Sequence, residues 1–179
     1  KTATGNITST GAFSTTGAVN LAANITTTDT NLTIGGNLVI AEAATPTLST
    51  GAGTAGNVLV SGTTNGTTGG VAETLTVQAG TGTATFTGNV GNNANGTELE
   101  ALTITNAAAT TFSGTLDLAN ALTQTNAATG TTTFTGAVAV GSADLKGTAY
   151  ALNNSFASGG TTSITNSGTV TKNATGNIT

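Results

Sequence analysis

A two-part phrase that occurs three times in the middle of the chain limits the folds open to it. Each copy begins with Leu-Thr and one further residue, passes through a bend of small residues, and ends in Thr-Phe, then Thr or Ser, then Gly. The copies begin at Leu75, Leu102 and Leu122, and they end around Phe86, Phe112 and Phe134. The interval between the first two phenylalanines is longer than that between the last two, so the ends of the unit recur while its loops vary in length.

This pattern favours a β-solenoid. A coil of a solenoid buries its apolar side only against the coils above and below it, while insertions are accommodated at its corners. Polar and apolar residues alternate with the period of a β-strand, and Gly and Thr are weak helix formers. A sandwich of hairpins would also alternate, but it would not require the same phrases in the same order. We therefore predict an all-β solenoid with irregular coils of about 20–30 residues.

The repeated phrases also supply a candidate core. Alternate residues of a strand point to the same face, so the first and third residues of the Leu-Thr phrases share a side, as do the phenylalanines. Stacked coils would align them into leucine and phenylalanine columns, stabilised by burial at about 25 cal/mol per Å². The predicted core columns comprise Leu75, Val77, Phe86, Leu102, Ile104, Phe112, Leu122 and Phe134.

The two ends of the chain share a second repeat. Residues 172–179 (KNATGNIT) match residues 1–8 (KTATGNIT) at seven of eight positions, across an interval of 171 residues. This echo predicts that residues 1–171 are one period of a tandem array and that residues 172–179 begin the next period. The predicted repeat seam consists of Lys1, Ile7, Lys172 and Ile178.

A chain of this kind is expected to work as a structural part. We predict a structural repeat of a fibre, filament or stalk, joined head to tail to identical copies or adjoining repeats by stacking of β-coils. An alternative explanation of the echo is a pilus subunit whose end is donated as a strand to its neighbour.

Composition excludes several other classes of function. Charged residues make up 6% of the chain, the net charge is −4, and the three cations are all Lys, so no basic patch is available for nucleic acid. Cys is absent, which excludes a disulfide framework and thiolate metal sites. The apolar runs are a few residues long, against the roughly 20 of a membrane-spanning helix, so no membrane insertion is expected.

Two acidic residues are weak candidates for a metal site. Glu98 and Glu100 are two positions apart and would point to one face of a strand, where paired carboxylates can hold Ca²⁺. The competing interpretation is a solvated strand edge whose charges prevent unwanted pairing. The seven acids are dispersed along the chain, so no other metal or cofactor is predicted.

An enzyme is not expected. Carbohydrate-cleaving chemistry needs paired carboxylates or a base beside a positive charge, and the chain has no His or Arg. Thr-x-Thr phrases raise the possibility of ice binding. Their middle residues include Leu75, Phe86 and Ile104, which are core candidates, so the threonines fit the outward half of an ordinary strand.

Residues 70–141 resemble the repeat regions of bacterial surface proteins with β-strand repeats. The resemblance is carried by the Leu-Thr-Val and Leu-Thr-Ile phrases, the Thr-Phe-Thr-Gly endings and the Gly-Asn-Val-Gly at residues 88–91. Filamentous-haemagglutinin-like adhesins and autotransporter passenger domains are similar in style. The resemblance implies a right-handed parallel β-helix, an extracellular or cell-surface location, and a role in attachment or as a stalk.

A surface binding module is the second function that the sequence leaves open. In that case an outward loop, such as residues 63–70 or 91–96, would recognise a glycan or a host surface. These loops are polar but lack aromatic residues, and Tyr150 is the one tyrosine of the chain. A stacked sugar platform is therefore not indicated.

Overall fold

The computed structural model describes residues 2–53, 56–67, 73–92, 99–173 and 177–179, and over these residues every strand pairs in parallel with its neighbours and no helix is present. The prediction of an all-β chain is confirmed for these residues, and the parallel pairing implied by the resemblance is present. In order, the strands are β1 (Thr2–Ala3), β2 (Ile7–Ser9), β3 (Phe13–Thr15), β4 (Val19–Leu21), β5 (Ile25–Thr27), β6 (Leu32–Ile34), β7 (Leu38–Ile40), β8 (Thr47–Ser49), β9 (Val58–Val60), β10 (Thr64–Asn65), β11 (Thr74–Gln78), β12 (Thr83–Phe86), β13 (Ala101–Asn106), β14 (Ala109–Phe112), β15 (Leu116–Asp117), β16 (Ala121–Phe134), β17 (Val138–Val140), β18 (Ser142–Leu152), β19 (Phe156–Ser158), β20 (Thr162–Asn166) and β21 (Val170–Lys172).

The strands lie in three rows, within which neighbouring strands pair side by side. Row 1 contains β2, β5, β8, β11 and β13, the first parts of β16 and β18, and β20. Row 2 contains β3, β6, β9, β12 and β14, the later parts of β16 and β18, and β21. Row 3 contains β1, β4, β7 and β10, the bridge residue Val90, then β15, β17, β19 and the bridge residue Ile178. Because β16 and β18 run from row 1 into row 2, these two rows form one sheet that folds back on itself.

The chain passes through the rows in a repeating order, from row 3 to row 1 to row 2 and back to row 3. We call each circuit through the three rows a pass. Each pass adds one strand segment or bridge residue to every row, and the passes differ in their number of residues. The pass from Ile7 to its partner Ile25 is short, whereas the pass from Leu48 to its partner Val77 is long. The first passes are shorter than predicted because only three residues separate β2 from β3 and β3 from β4.

The core lies on the inward side of the three rows. Alternate strand residues are buried, as in β11, where Leu75 and Val77 are fully buried and Thr76 between them is half-buried. All eight residues of the predicted core columns are buried. Their register is direct, because Phe86 pairs with Phe112 and Phe112 with Phe134 along row 2. Each inward side chain therefore packs on the equivalent side chain of the next pass.

Glycines form a ladder at the corner between rows 2 and 3. The ladder contains Gly36, Gly62, Gly88, Gly114 and Gly136, and each member lies against the backbone of the one before. A Cβ atom built on Gly88 would lie 2.5 Å from the carbonyl oxygen of Gly62, which is closer than real Cβ atoms approach. The Gly that ends each repeated phrase is therefore needed where successive corners touch.

Asparagines form further ladders at the corners that precede the strands. The side-chain oxygen of Asn31 accepts the backbone N–H of Asn57 at 2.9 Å, and the Oδ1 of Asn57 accepts that of Thr83 at 2.8 Å. At another corner, Asn6 accepts the N–H of Asn24 at 3.1 Å. These bonds satisfy backbone donors where the strands bend away from their rows. The signal in the sequence is an Asn directly before the first inward aliphatic residue of a strand.

Candidate functional site

The last pass of the chain leaves an apolar end surface. Among the described residues, the large hydrophobic residues that are exposed are Val170 (43%) and Ile178 (53%). Val170 pairs with Tyr150 in row 2, and Ile178 bridges to Phe156 in row 3. Tyr150 and Phe156 are each 1% exposed. Val170 and Ile178 are therefore inward residues of their columns, exposed because no described strand follows them in the row. We call Ile164, Val170 and Ile178 the trailing end.

The first pass has a corresponding apolar surface at the opposite end of the rows. Ile7 begins the inward side of row 1 and Phe13 that of row 2, and both are half-buried. Their row neighbours Ile25 and Leu32 are fully buried. Ile7 and Phe13 line an open groove together with Ala3, which begins row 3 beside the buried Leu21. We call Ala3, Ile7 and Phe13 the leading end.

The predicted seam residues are distributed over all three rows. Ile7 lies in row 1, whereas Ile178, its equivalent in the echo, lies in row 3. Lys172 is the last residue of β21, half-buried, and pairs with Leu152 in row 2. Lys1 lies outside the described residues. The predicted boundary between residues 171 and 172 falls inside β21, so the sequence period and the strand boundaries do not coincide.

The acidic pair proposed for a metal is described only in part. Glu98 lies outside the described residues. The carboxylate of Glu100 accepts a hydrogen bond from the side-chain amide of Asn120, and its backbone N–H donates to the carbonyl of Glu73 at 2.9 Å. In the part of the chain that the structure describes, no three His, Cys, Asp or Glu side chains gather as metal ligands would. A Ca²⁺ site at this pair stays a prediction.

Two acidic residues missed by the sequence reasoning have distinct surroundings. Glu73 is buried, and its carboxylate accepts a hydrogen bond from the hydroxyl of Thr67 at 2.5 Å.

Asp144 forms an ion pair with Lys146 on the outward side of β18, with 3.3 Å between the Lys146 Nζ and the Asp144 Oδ2. Both partners of that pair are about half exposed, so solvent screens the pair and it contributes little to stability.

A buried polar cluster interrupts the core of row 1. Gln124 occupies a position that is aliphatic in the neighbouring passes, between Ile104 and Leu145. Its amide nitrogen donates to the carbonyl of Lys146 at 2.9 Å, and its amide oxygen accepts the hydroxyl of Thr132 at 3.0 Å. The polar group is therefore satisfied on both sides. The signal in the sequence was the Gln in the third position of the Leu-Thr phrase.

Tyr150 packs beside this cluster with an unsatisfied hydroxyl. Its side chain is buried, and its OH has no hydrogen-bond partner among the described residues. Desolvation raises the pKa of the Tyr150 phenol from 10.0 to about 12, with a smaller contribution from the negative charge of Asp144. Burial of an unpaired hydroxyl is a stability cost. The ring nevertheless fills the column between Thr132 and Val170.

The two loops suggested for ligand recognition are described only in their first residues. Thr64 and Asn65 are not part of a loop, because they form β10 and pair with β7. Residues 68–70 and 93–96 lie outside the described part. Thr64 is buried, so the beginning of the first predicted loop belongs to row 3.

Comparisons of this chain with protein-family models, with curated proteins and with solved structures found no match. The resemblance to surface β-strand-repeat proteins therefore stays a prediction from the sequence phrases. Among the described residues, none forms a helix of the length and hydrophobicity needed to cross a membrane.

Proposed function

We propose that this chain is a right-handed parallel β-helix that serves as a structural repeat of an extracellular fibre, filament or adhesin stalk. In this proposal, the trailing end of one copy is covered by the first pass of the next copy, in which residues 172–179 take the place of residues 1–8. The observation that carries the proposal is the exposure of Val170 and Ile178, whose row neighbours one pass earlier are buried.

The order of the rows supports the β-helix. The chain returns to each row after visiting the other two, and each returning strand pairs in parallel with the one before. Connections between parallel strands of one sheet are right-handed in nearly all proteins. Successive strands in a row are about 4.8 Å apart, so each pass lengthens the body along one axis.

The two ends are chemically matched for stacking. Both present aliphatic or aromatic residues in all three rows, and the free edges of their strands carry backbone donors and acceptors. An open edge of this kind pairs with another strand unless it is blocked. Stacking would bury the trailing end at about 25 cal/mol per Å² and would satisfy the edge groups at the same time.

The proposed role needs neither a cofactor nor a catalytic residue. It needs length, stiffness and continuity, which a column of directly stacked side chains supplies. The extracellular or cell-surface location rests on the resemblance of residues 70–141 to bacterial surface proteins.

Electron microscopy of the chain and of a two-copy chain tests the proposal. The two-copy chain consists of the full chain followed by a second copy of residues 9–179, so that residues 172–179 supply the shared phrase once. We expect a single rod that is longer than the one-copy body by about 37 Å, since about seven and two-thirds passes are added at about 4.8 Å each. Two separate bodies joined by a flexible link would contradict the proposal.

Replacing Val170 by Asp provides a second measurement, on the unextended chain. A charge at the trailing end should weaken end-to-end association, because the carboxylate would be buried without a partner in the stack. Thr171→Asp is the matched control, since Thr171 is exposed and alternates with the inward residues of β21. Sedimentation velocity should show less association for Val170→Asp than for the control.

A further inference from the structure

The phrase shared by the two ends of the chain occupies different rows in its two occurrences. Ile7 pairs with Ile25 in row 1. Ile178 stands at the same position of the phrase, but it bridges to Phe156 in row 3. The same residues thus have the same inward role at two angular positions around the body.

The difference follows from the number of passes in one period. Seven steps along row 1 lead from Ile7 to Ile164. The chain then continues to Val170 in row 2 and to Ile178 in row 3. A period of 171 residues therefore makes seven full turns and two further rows. With a whole number of turns, Ile178 would have stacked on Ile164 in row 1.

The described residues of the phrase visit the rows in the same order in both places. In the first occurrence, β1 in row 3 is followed by one corner and then by Ile7 in the next row. In the second, Asn173 directly follows β21 in row 2, and its N–H donates to the carbonyl of Leu152 at 2.9 Å. Ile178 then lies in the next row, row 3. The described residues of the phrase are therefore shifted together by one row.

We propose that consecutive copies in the tandem array are rotated by one row, about one third of a turn, relative to each other. This inference rests on the proposed function and specifies the interface between copies. The occupant of the trailing end is the first pass of a second copy of this chain. Its Phe13 covers Ile164 in row 1. Its β4 follows β21 in row 2, where Asn20 lies beside Asn173 and Val19 beside Lys172, as the register of Thr2 with Asn20 in the first copy requires.

The third contact of the interface is already present inside the chain. Ile25 of the second copy covers Ile178, as Ile25 covers Ile7 in the first copy. The side-chain oxygen of Asn177 then accepts the N–H of the second copy's Asn24, as Asn6 accepts that of Asn24 at 3.1 Å. The rotated junction thus reuses a pairing that the sequence encodes.

The rotation determines how surface features are distributed on the fibre. An outward group, such as the Asp144–Lys146 pair, moves to another face in each successive copy and returns to its first face after three. Equivalent groups on one face are then about 110 Å apart, since three copies add about 23 passes of about 4.8 Å. A partner that contacts one face of the fibre meets each site once in three copies.

Engineered disulfides in the two-copy chain test the rotation. The chain has no Cys of its own, so only the introduced pair can be oxidised. The first variant carries Ala157→Cys and Thr179→Cys, which pair across row 3 in the rotated arrangement; Ala157 follows Phe156 as Thr179 follows Ile178. The second carries Thr165→Cys and Thr179→Cys, which would pair across row 1 without rotation. Adjacent strands place Cα atoms about 4.8 Å apart, within the range that a disulfide requires.

In the first variant, Ala157→Cys is placed in the first copy, and we expect both free thiols to be lost. In the second variant, we expect both free thiols to be retained. Closure of the second pair instead of the first overturns the rotation while leaving a stacked array intact. Failure of both pairs also overturns it. Microscopy of the same variants separates these outcomes from failure of the proposed function, which would appear as two bodies in place of one rod.

Discussion

The ring of Phe134 lies 5.2 Å from the ring of Phe112, centroid to centroid, at an interplanar angle of 4°. On its other side, Phe112 stacks on Phe86 at 5.3 Å and 7°. The two intervals along the chain differ in length, yet the ring geometry is the same. Strand pairing within row 2 therefore sets the stacking of the rings. The difference in chain length between the phenylalanines lies in residues outside this row.

Replacing Phe112 by Ala should destabilise the fold more than most substitutions in this chain. The change removes a fully buried ring that contacts a ring on either side, so we expect a loss of about 3–5 kcal/mol in the free energy of unfolding. Chemical denaturation measures it. Thr111→Ala, on the outward side of the same strand, should change it by no more than about 0.5 kcal/mol. Equal losses of unfolding free energy in the two variants would contradict the stacking of the phenylalanines in a buried column.

Replacing Gln124 by Leu tests the buried polar cluster. The substitution restores an aliphatic row, but it leaves the Thr132 hydroxyl and the Lys146 carbonyl without their partner. We expect a loss of about 1–3 kcal/mol. The double variant Gln124→Leu with Thr132→Val should recover part of that loss, because the hydroxyl is removed as well. Additive effects in this double-mutant cycle would show that the two side chains are not coupled.

Replacing Gly88 by Ala tests the glycine ladder. The new methyl group would lie 2.5 Å from the carbonyl oxygen of Gly62, so successive corners have to separate. Overpacking of this kind costs about 1–3 kcal/mol. Gly11→Ala is the control, because a Cβ there has no neighbour within 4 Å. Thermal unfolding should distinguish the two, and a harmless Gly88→Ala would show that the corners are not in contact.

Replacing Tyr150 by Phe tests the dependence of stability on alkaline pH. Since burial raises the pKa of the phenol from 10.0 to about 12, the unfolded chain ionises before the folded one. The stability that depends on the neutral phenol is thus fully present below pH 10 and is lost as the pH rises towards 12. The midpoint of denaturation should fall less between pH 8 and pH 11 in Tyr150→Phe than in the unchanged chain. An equal fall would rule out this residue as the cause.

Removing one asparagine from a corner ladder should weaken the fold moderately. Asn57 accepts both the backbone N–H and the hydroxyl of Thr83. Asn57→Ala should therefore cost about 1 kcal/mol in the free energy of unfolding. Asn20→Ala is the comparison, since Asn20 is an exposed outward residue in the middle of β4. A larger loss at Asn20 than at Asn57 in denaturant titrations would contradict the role of the ladder.

The strands of the repeated phrases could be predicted because their signals are local. Alternation within the Leu-Thr phrases identifies the inward residues, and the recurrence of Phe and Gly indicates that successive passes align. The role of the corner asparagines was missed, although an Asn directly precedes Ile25, Leu32 and Val58. Asn and Thr are so frequent in this chain that a motif of two residues does not stand out from composition.

The contacts of Gln124 could not be predicted, because its two partners come from different segments. Thr132 lies in the later part of the same long strand, and Lys146 lies in the following pass. A Gln in an aliphatic position is read from the sequence alone as an interruption of the core. Only the folded chain shows that both of its polar ends are satisfied.

Residue order determined which side chains point inward, because β alternation and repeated phrases act over a few residues. The tertiary structure decided the row in which each pass ends, as the different rows of Ile7 and Ile178 show. The interval between paired residues varies from pass to pass, and each variation shifts everything that follows around the axis. The sum of these shifts depends on how every corner closes, which no local pattern specifies.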